Sequence, residues 1–330
     1  MSIGAGITQD NYISGLVADS DLYIKQILSE LDDDLQKVLW GFMNSGKRLR
    51  PFILAYVSRM LNGDREIAIK FAAAVEIYHN STLIFDDIQD NSLLRRGRPT
   101  IFAQFGTGMS ISYASVLRSM MTKTFANQLT IEDSLLVYQW IYKVAAMLSL
   151  GQYREMSWSY FSNLNISEDD YLEMAKYKTG ALLGLSALFG GISAKRKKID
   201  ELFEFGCNLG IAYQIYDDIG NVDEKKNQNK DKYSDITSKK VTLLTVHAIE
   251  HNNGNLKDEL INIFSRNNLN ESDVKRVLQI FKDSNALEYS YEIANTYLQS
   301  AIDILRQIPD SDSVFREKFI NQIKEIFRNA

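Results

Sequence analysis

Long intervals of this chain place apolar side chains at three- and four-residue spacing rather than in alternation, the period of helices. Val144, Met147, Leu148, Met156 and Trp158, then Leu182, Leu185, Leu188 and Phe189, look apolar on more than one helix face, as buried central helices do. Val274, Leu278, Ile280, Phe281, Ile302 and Leu305 are instead interspersed with Lys, Glu and Asn, which predicts peripheral amphipathic helices. The one break is Asp223 to Ser238, charged and almost free of large apolar groups, which reads as a loop. No linker of useful length and no repeat is present, so one domain over 1–330 is expected.

Composition sharpens this. The 330 residues include only 3 prolines (Pro51, Pro99 and Pro309), where ordinary usage of about 5% would give roughly 16. Helix breakers are scarce, and the expected class is all-α. With 45% apolar residues the chain can bury enough surface to fold. Its single thiol, Cys207, asks for no oxidising compartment, which fits the cytoplasm. The opening MSIGAGITQD lacks a basic segment followed by an apolar core, and no run nears 18 apolar residues, so neither export nor a membrane span is expected. A net charge of −5 argues against nonspecific nucleic-acid binding. Any polyanionic ligand needs a local basic patch.

Such patches exist beside acidic clusters. In HNSTLIFDDIQDNSLLRRGRPT (79–100), Asp86, Asp87 and Asp90 precede Arg95, Arg96 and Arg98. On a helix Asp86 and Asp90 share one face at i, i+4, where like charges repel unless a cation lies between them. A second cluster, Asp217 and Asp218, ends the apolar stretch YQIYDDIGN. Mg²⁺ is commonly held by one or two carboxylates plus substrate phosphates. An isolated acidic run is also the ordinary look of a solvated helix end; two of them, with GKRLRP at 46–51 and Lys178-Thr179 in an apolar stretch, point to a diphosphate. Lys230 and Lys240, beside the second cluster, read singly as surface lysines.

Over about residues 40 to 245 the chain resembles the all-trans isoprenyl diphosphate synthases. The markers stand in family order: GKRLRP, YHNSTLIFDDIQDNSLLRRGRPT, GQYREM, YKTGALLG, GIAYQIYDDIGN and DKYSDITSKKVTL. The resemblance implies an all-helical, barrel-like bundle around a deep central cavity, a homodimer, and three Mg²⁺ ions. It implies Mg²⁺ binding by Asp86, Asp87, Asp90, Asp217 and Asp218, with Asp86 and Asp90 as direct ligands. By position, Arg95, Lys178, Gln214 and Lys240 match residues holding the allylic diphosphate (dimethylallyl, geranyl or farnesyl). Lys47, Arg50, His79 and Arg96 match the isopentenyl diphosphate site, and Thr179 and Lys230 are further carry-overs. The implied chemistry is ionisation of the allylic diphosphate, attack by isopentenyl diphosphate, and proton loss.

Ser81 and Thr82, five and four residues before Asp86, match the family's floor for the growing chain. Both are small, which predicts a C20 product, geranylgeranyl diphosphate, or a longer one, since Ser119 and its neighbours are not bulky. The sequence departs from the family pattern at Phe85, Phe102 and Ala114-Ser115, at Asn221 in place of Asp, and at Glu155 in place of a common Asp. The departures at Phe85, Phe102 and Ala114-Ser115 keep a terpene cyclase as the alternative. Intact DDIQD speaks against a noncatalytic subunit.

Overall fold

The computed structural model describes residues 10–126, 128–160, 165–196, 199–223, 233–251, 255–266, 268–309 and 311–328. Their fold is all-α, with one two-residue hairpin among the described residues. In chain order the elements are α1 (Asn11–Leu28), α2 (Asp33–Met43), α3 (Leu49–Met60), α4 (Arg65–Gln89), β1 (Leu94–Arg95), β2 (Arg98–Pro99), α5 (Ile101–Lys123) and α6 (Ile131–Tyr160). Then come α7 (Glu168–Ala175), a π-helical turn (Lys176–Gly180), α8 (Ala181–Ser193), α9 (Asp200–Val222), α10 (Ser234–Thr237) and α11 (Leu243–Glu250). The chain ends in α12 (Asn255–Phe264), α13 (Glu271–Asp283), α14 (Ala286–Gln307) and α15 (Ser313–Arg328).

Side-chain caps set many starts. Asp64 accepts from the Glu66 and Ile67 amides at the head of α4, and Thr100 caps α5. Ser167 with Asp170, and Asn270 with Asp273, form capping boxes on α7 and α13. Gly106 (φ 72°, ψ 178°) kinks α5, a conformation that costs glycine little.

The described residues group into two compact units. One lies within Met1–Trp140, Leu185–Phe203 and Ile308–Gln322. Its core stacks Phe71 on Phe189 (centroids 4.4 Å apart) and Tyr56 on Phe319 (4.6 Å). The other lies within Ile141–Gly184, Glu204–Gln307 and Ile323–Ala330. There a Cβ added to Gly210 would lie 2.3 Å from the Gly180 Cα, so this pair lets the π-helical turn and α9 touch backbone to backbone. Gly210→Ala is expected to cost about 2 kcal/mol, the scale of overpacking a close-packed contact. Thermal unfolding checks this, and an unchanged midpoint would mean the helices part freely.

Leu182, Leu185, Leu188 and Phe189 are buried as the pattern predicts, and so are Val274, Ile280, Phe281, Ile302 and Leu305, with Leu278 half-buried. The expectation for α6 needs correction. Val144, Leu148 and Trp158 are buried, but Met156 is exposed, as are Ile131, Leu135, Tyr142, Leu150 and Tyr153. This helix is apolar all round without being covered all round. The predicted loop contains the short helix α10, whose Ile236 is buried.

Candidate active site

The first unit gathers the basic motif and the first aspartates at the ends of α3 and α4. Arg48 stands at φ 57° as the residue before α3. Its Nε donates to Asp21 Oδ1 (2.7 Å), and its Nη1 donates to Glu76 Oε1 (3.0 Å) and the Met43 carbonyl (2.8 Å). Asn80 Nδ2 donates to the same buried Glu76 carboxylate at 3.1 Å. This latch fixes the turn that carries Lys47, exposed, and Arg50, half-buried. One turn from Glu76, His79 is held neutral: burial, then Arg50, Arg96, Arg95 and Arg48, push its pKa well below the ordinary value. With Arg48 committed to Asp21 and Glu76, the positive charge of Arg50 and Arg96 beside this imidazole favours a bound polyanion.

The RRGR motif is a hairpin. Leu94 pairs with Pro99 and Arg95 with Arg98, and the turn residues Arg96 (φ 54°) and Gly97 (φ 74°) both lie at positive φ, as two-residue hairpins require. Arg95 Nε donates to Asp87 Oδ1 at 2.8 Å. Asp87 is buried, its pKa raised first by burial against the lowering pull of Arg95, and its Oδ2 has no hydrogen-bond partner. Asp86 is half-buried and Asp90 exposed at the C-cap of α4.

In the second unit the π-helical turn carries Lys178 and Thr179; such turns recur at functional sites. Lys178 pairs with the buried Glu155 of α6, and Lys240 Nζ lies 3.3 Å from the other oxygen of that carboxylate. Burial works to raise the Glu155 pKa, and the two lysines outweigh it, holding the carboxyl below its usual range. Thr179 Oγ1 donates to Gln214 Oε1 (2.5 Å), and Gln214 Nε2 donates to Asp218 Oδ1 (2.9 Å). The Tyr171 hydroxyl donates to Asp218 Oδ2 at 2.6 Å. Asp218 is thus buried with both oxygens engaged, while its neighbour Asp217 is exposed. Burial pushes the pKa of both Asp218 and Asp235 upward.

Nearly all the predicted residues fall into these two clusters. Lys230 lies outside the described residues. Ser81 is buried and donates to the Tyr78 carbonyl (2.7 Å); Thr82 donates to the His79 carbonyl (2.7 Å). Ser119 is exposed and turns its hydroxyl to its own helix, onto Ser115 O at 3.0 Å. Asn221 caps α10, its Nδ2 donating to Ser234 Oγ (2.8 Å) and its Oδ1 accepting from the Asp235 amide (3.2 Å).

Sequence reasoning missed Asp235, Tyr171 and the anchoring role of Glu155. Asp235 lies within DKYSDITS, in the stretch read as a loop, and its electrostatic neighbours include Lys240, Asp217, Glu155 and Lys178. Tyr171 carries no local signal, while the departure at Glu155 marked the position without its purpose.

Among the described residues no three ligating side chains converge on one metal-sized point. The donors are carboxylate oxygens, and one of them, Asp87 Oδ2, is buried without a partner. That set fits Mg²⁺, which keeps waters and shares its sphere with phosphate oxygens.

A model of the polyprenyl synthetase family matches residues 32–281. The chain is 34% identical to a geranylgeranyl diphosphate synthase of Saccharolobus solfataricus over 91% of this chain and 92% of that protein. It is 33% identical to a geranylfarnesyl diphosphate synthase of Aeropyrum pernix over 90% and 95%. The structure of a geranylgeranyl pyrophosphate synthetase from Pyrococcus horikoshii superposes with a TM-score of 0.87 at 31% identity, covering 96% of this chain and 97% of that one. With three quarters of its length inside the family match and both aspartate clusters within it, the chain belongs to the polyprenyl synthetase family.

Proposed function

We propose that this protein condenses an allylic diphosphate (dimethylallyl, geranyl or farnesyl) with isopentenyl diphosphate, releasing pyrophosphate, and that its main product is the C20 diphosphate. The observation that carries this is the half-buried His79 with Arg50 and Arg96 leading the charges that act on it. A cyclase needs no second anion pocket, so this cluster favours elongation over the terpene synthase reading.

In this reading Lys47, Arg50, His79 and Arg96 bind the diphosphate of isopentenyl diphosphate. Arg95, Lys178, Thr179, Gln214 and Lys240, with Lys230, bind that of the allylic substrate. The C–O bond of the allylic diphosphate breaks with its electron pair leaving on pyrophosphate, and Lys178 and Lys240 stabilise the negative charge that grows there. The double bond of isopentenyl diphosphate then bonds to the cation, and the released pyrophosphate takes the proton. No side-chain nucleophile is needed; the one thiol, Cys207, is buried, its pKa pushed up to about 12.

The family uses Mg²⁺. Asp86, Asp90 and Asp217 would hold it as direct ligands, with Asp87 and Asp218 behind them, and three ions are proposed. Mg²⁺ when bound supplies positive charge at the diphosphate oxygens.

A homodimer is proposed, supported by the exposed apolar side chains of α6 and by Phe105 and Met109 on α5. A single synthase domain over 1–330 is supported by unit boundaries inside α6, α8, α9 and α15, with one further boundary at the end of α14. No helix among the described residues is long and apolar enough to cross a membrane, and a cytoplasmic location is proposed.

Relatives of similar identity make C20 and C25 chains by name, so product length rests on residues. Small Ser81 and Thr82 support C20 over C15. Chromatography of products from the purified protein with isopentenyl diphosphate and each allylic starter is expected to give mainly C20. Products stopping at C15 would overturn the assignment of length, and a hydrocarbon released from allylic substrate alone would identify a cyclase.

A further inference from the structure

We infer that Arg118 sets where chain growth stops: its guanidinium, stacked between the rings of Tyr78 and Phe85, lies against the face of α4 that carries Thr82, beside Ser81. This rests on the condensation proposed above and deepens it.

The placement follows from helix geometry. Tyr78, Thr82 and Phe85 stand at i, i+4 and i+7 and share one face of α4, with Ser81 beside them. The Arg118 Cζ, from α5, lies 5.3 Å from the Tyr78 ring centroid and 5.1 Å from that of Phe85. The seven residues from Tyr78 to Phe85 span roughly 10.5 Å of helix rise at about 1.5 Å per residue. A guanidinium touching both rings therefore lies beside the turn that carries Ser81 and Thr82. Those two side chains add little bulk, and both spend their hydroxyls on backbone carbonyls of their own helix.

Arg118 is exposed in the single chain, and two features hold it over these rings. It makes no ion pair among the described residues, so the rings are what hold it. The Tyr78 hydroxyl is buried without a hydrogen-bond partner, so that ring is positioned by packing and by the cation rather than by its polar end. A hydrocarbon tail reaching this turn meets a charged group that it cannot solvate, where small neutral side chains alone would let it pass. Phe85, a departure from the common family pattern, supplies one of the two faces that keep the cation there.

The test is the chain-length distribution made by full-length Arg118→Ala and Arg118→Lys from farnesyl and isopentenyl diphosphates, beside the unaltered protein. Arg118→Ala is expected to move at least half of the product to C25 or longer. Arg118→Lys, which keeps the charge but lacks a planar stacking group, is expected to fall between. A distribution unchanged in Arg118→Ala overturns the inference. Should that variant not fold, an unchanged distribution in Arg118→Lys overturns it equally. An unaltered protein that forms no longer diphosphate at all would instead overturn the condensation reading.

Discussion

Asp217→Ala is expected to lower turnover about a thousandfold or more while leaving the melting temperature nearly unchanged, and Asp86→Ala is expected to lower turnover to a similar extent. Asp217 is exposed at the end of α9 and accepts no hydrogen bond among the described residues, so its removal orphans no buried donor. Surface changes of that kind usually stay within about 0.5 kcal/mol. The loss in rate has a different source. A carboxylate that holds a divalent ion against a departing diphosphate is worth several kcal/mol of transition-state charge stabilisation, at about 1.4 kcal/mol per tenfold. Asp218→Ala supplies the contrast, because it leaves the Tyr171 hydroxyl and the Gln214 amide without their acceptor and costs stability as well as rate. Steady-state rates over a Mg²⁺ series, paired with thermal unfolding, separate the two cases. A rate near that of the unaltered protein in Asp86→Ala or Asp217→Ala would remove that residue from the metal site.

The difference between Asp217 and Asp218 marks the limit of what can be read from the chain. Adjacent aspartates announce a cluster, but which one turns inward depends on Tyr171, 47 residues earlier, and no local pattern encodes that pairing. Helices and the buried α8 were legible because a 3.6-residue period and dense apolar content have one structural outcome. For α6 the same density misled: burial and an uncovered apolar face look identical in one sequence. The basic run RRGR was legible as charge and not as a hairpin, since Arg at the first turn position hides a positive φ that Asn or Asp would have advertised. Asp235 was hidden by its polar neighbours, and Arg118, directly before Ser119, corrects the expectation that the neighbours of Ser119 are not bulky. Asn221, the departure from Asp at the end of the second cluster, has an amide that ties α9 to α10, a role its place in the motif did not announce.

Glu155→Gln is expected to destabilise the protein by about 3 kcal/mol at neutral pH, because removing one partner of a buried ionic cluster leaves the others uncompensated. The value sits at the low end of the usual range since Lys178 and Lys240 keep 16% and 26% of their side-chain surface and can turn toward water. The pH dependence has a definite sign. The folded-state pKa of Glu155 is depressed, so its contribution is present above the unfolded glutamate value of about 4.3 and disappears as pH falls through the lower folded value. Unfolding curves of the two proteins are therefore expected to differ most above about pH 5 and to converge in acid. Turnover is expected to fall about a hundredfold, since one carboxylate anchors both lysines assigned to the departing pyrophosphate and small misplacements cost that much. Glu155→Asp separates charge from reach: it keeps the anion one methylene short, and should recover most of the stability but less of the rate. If Gln and Asp variants were equally stable across the pH range, the charge of Glu155 would have no part in holding Lys178 and Lys240, and their placement would have to come from the π-helical turn and the segment leading into α11 alone.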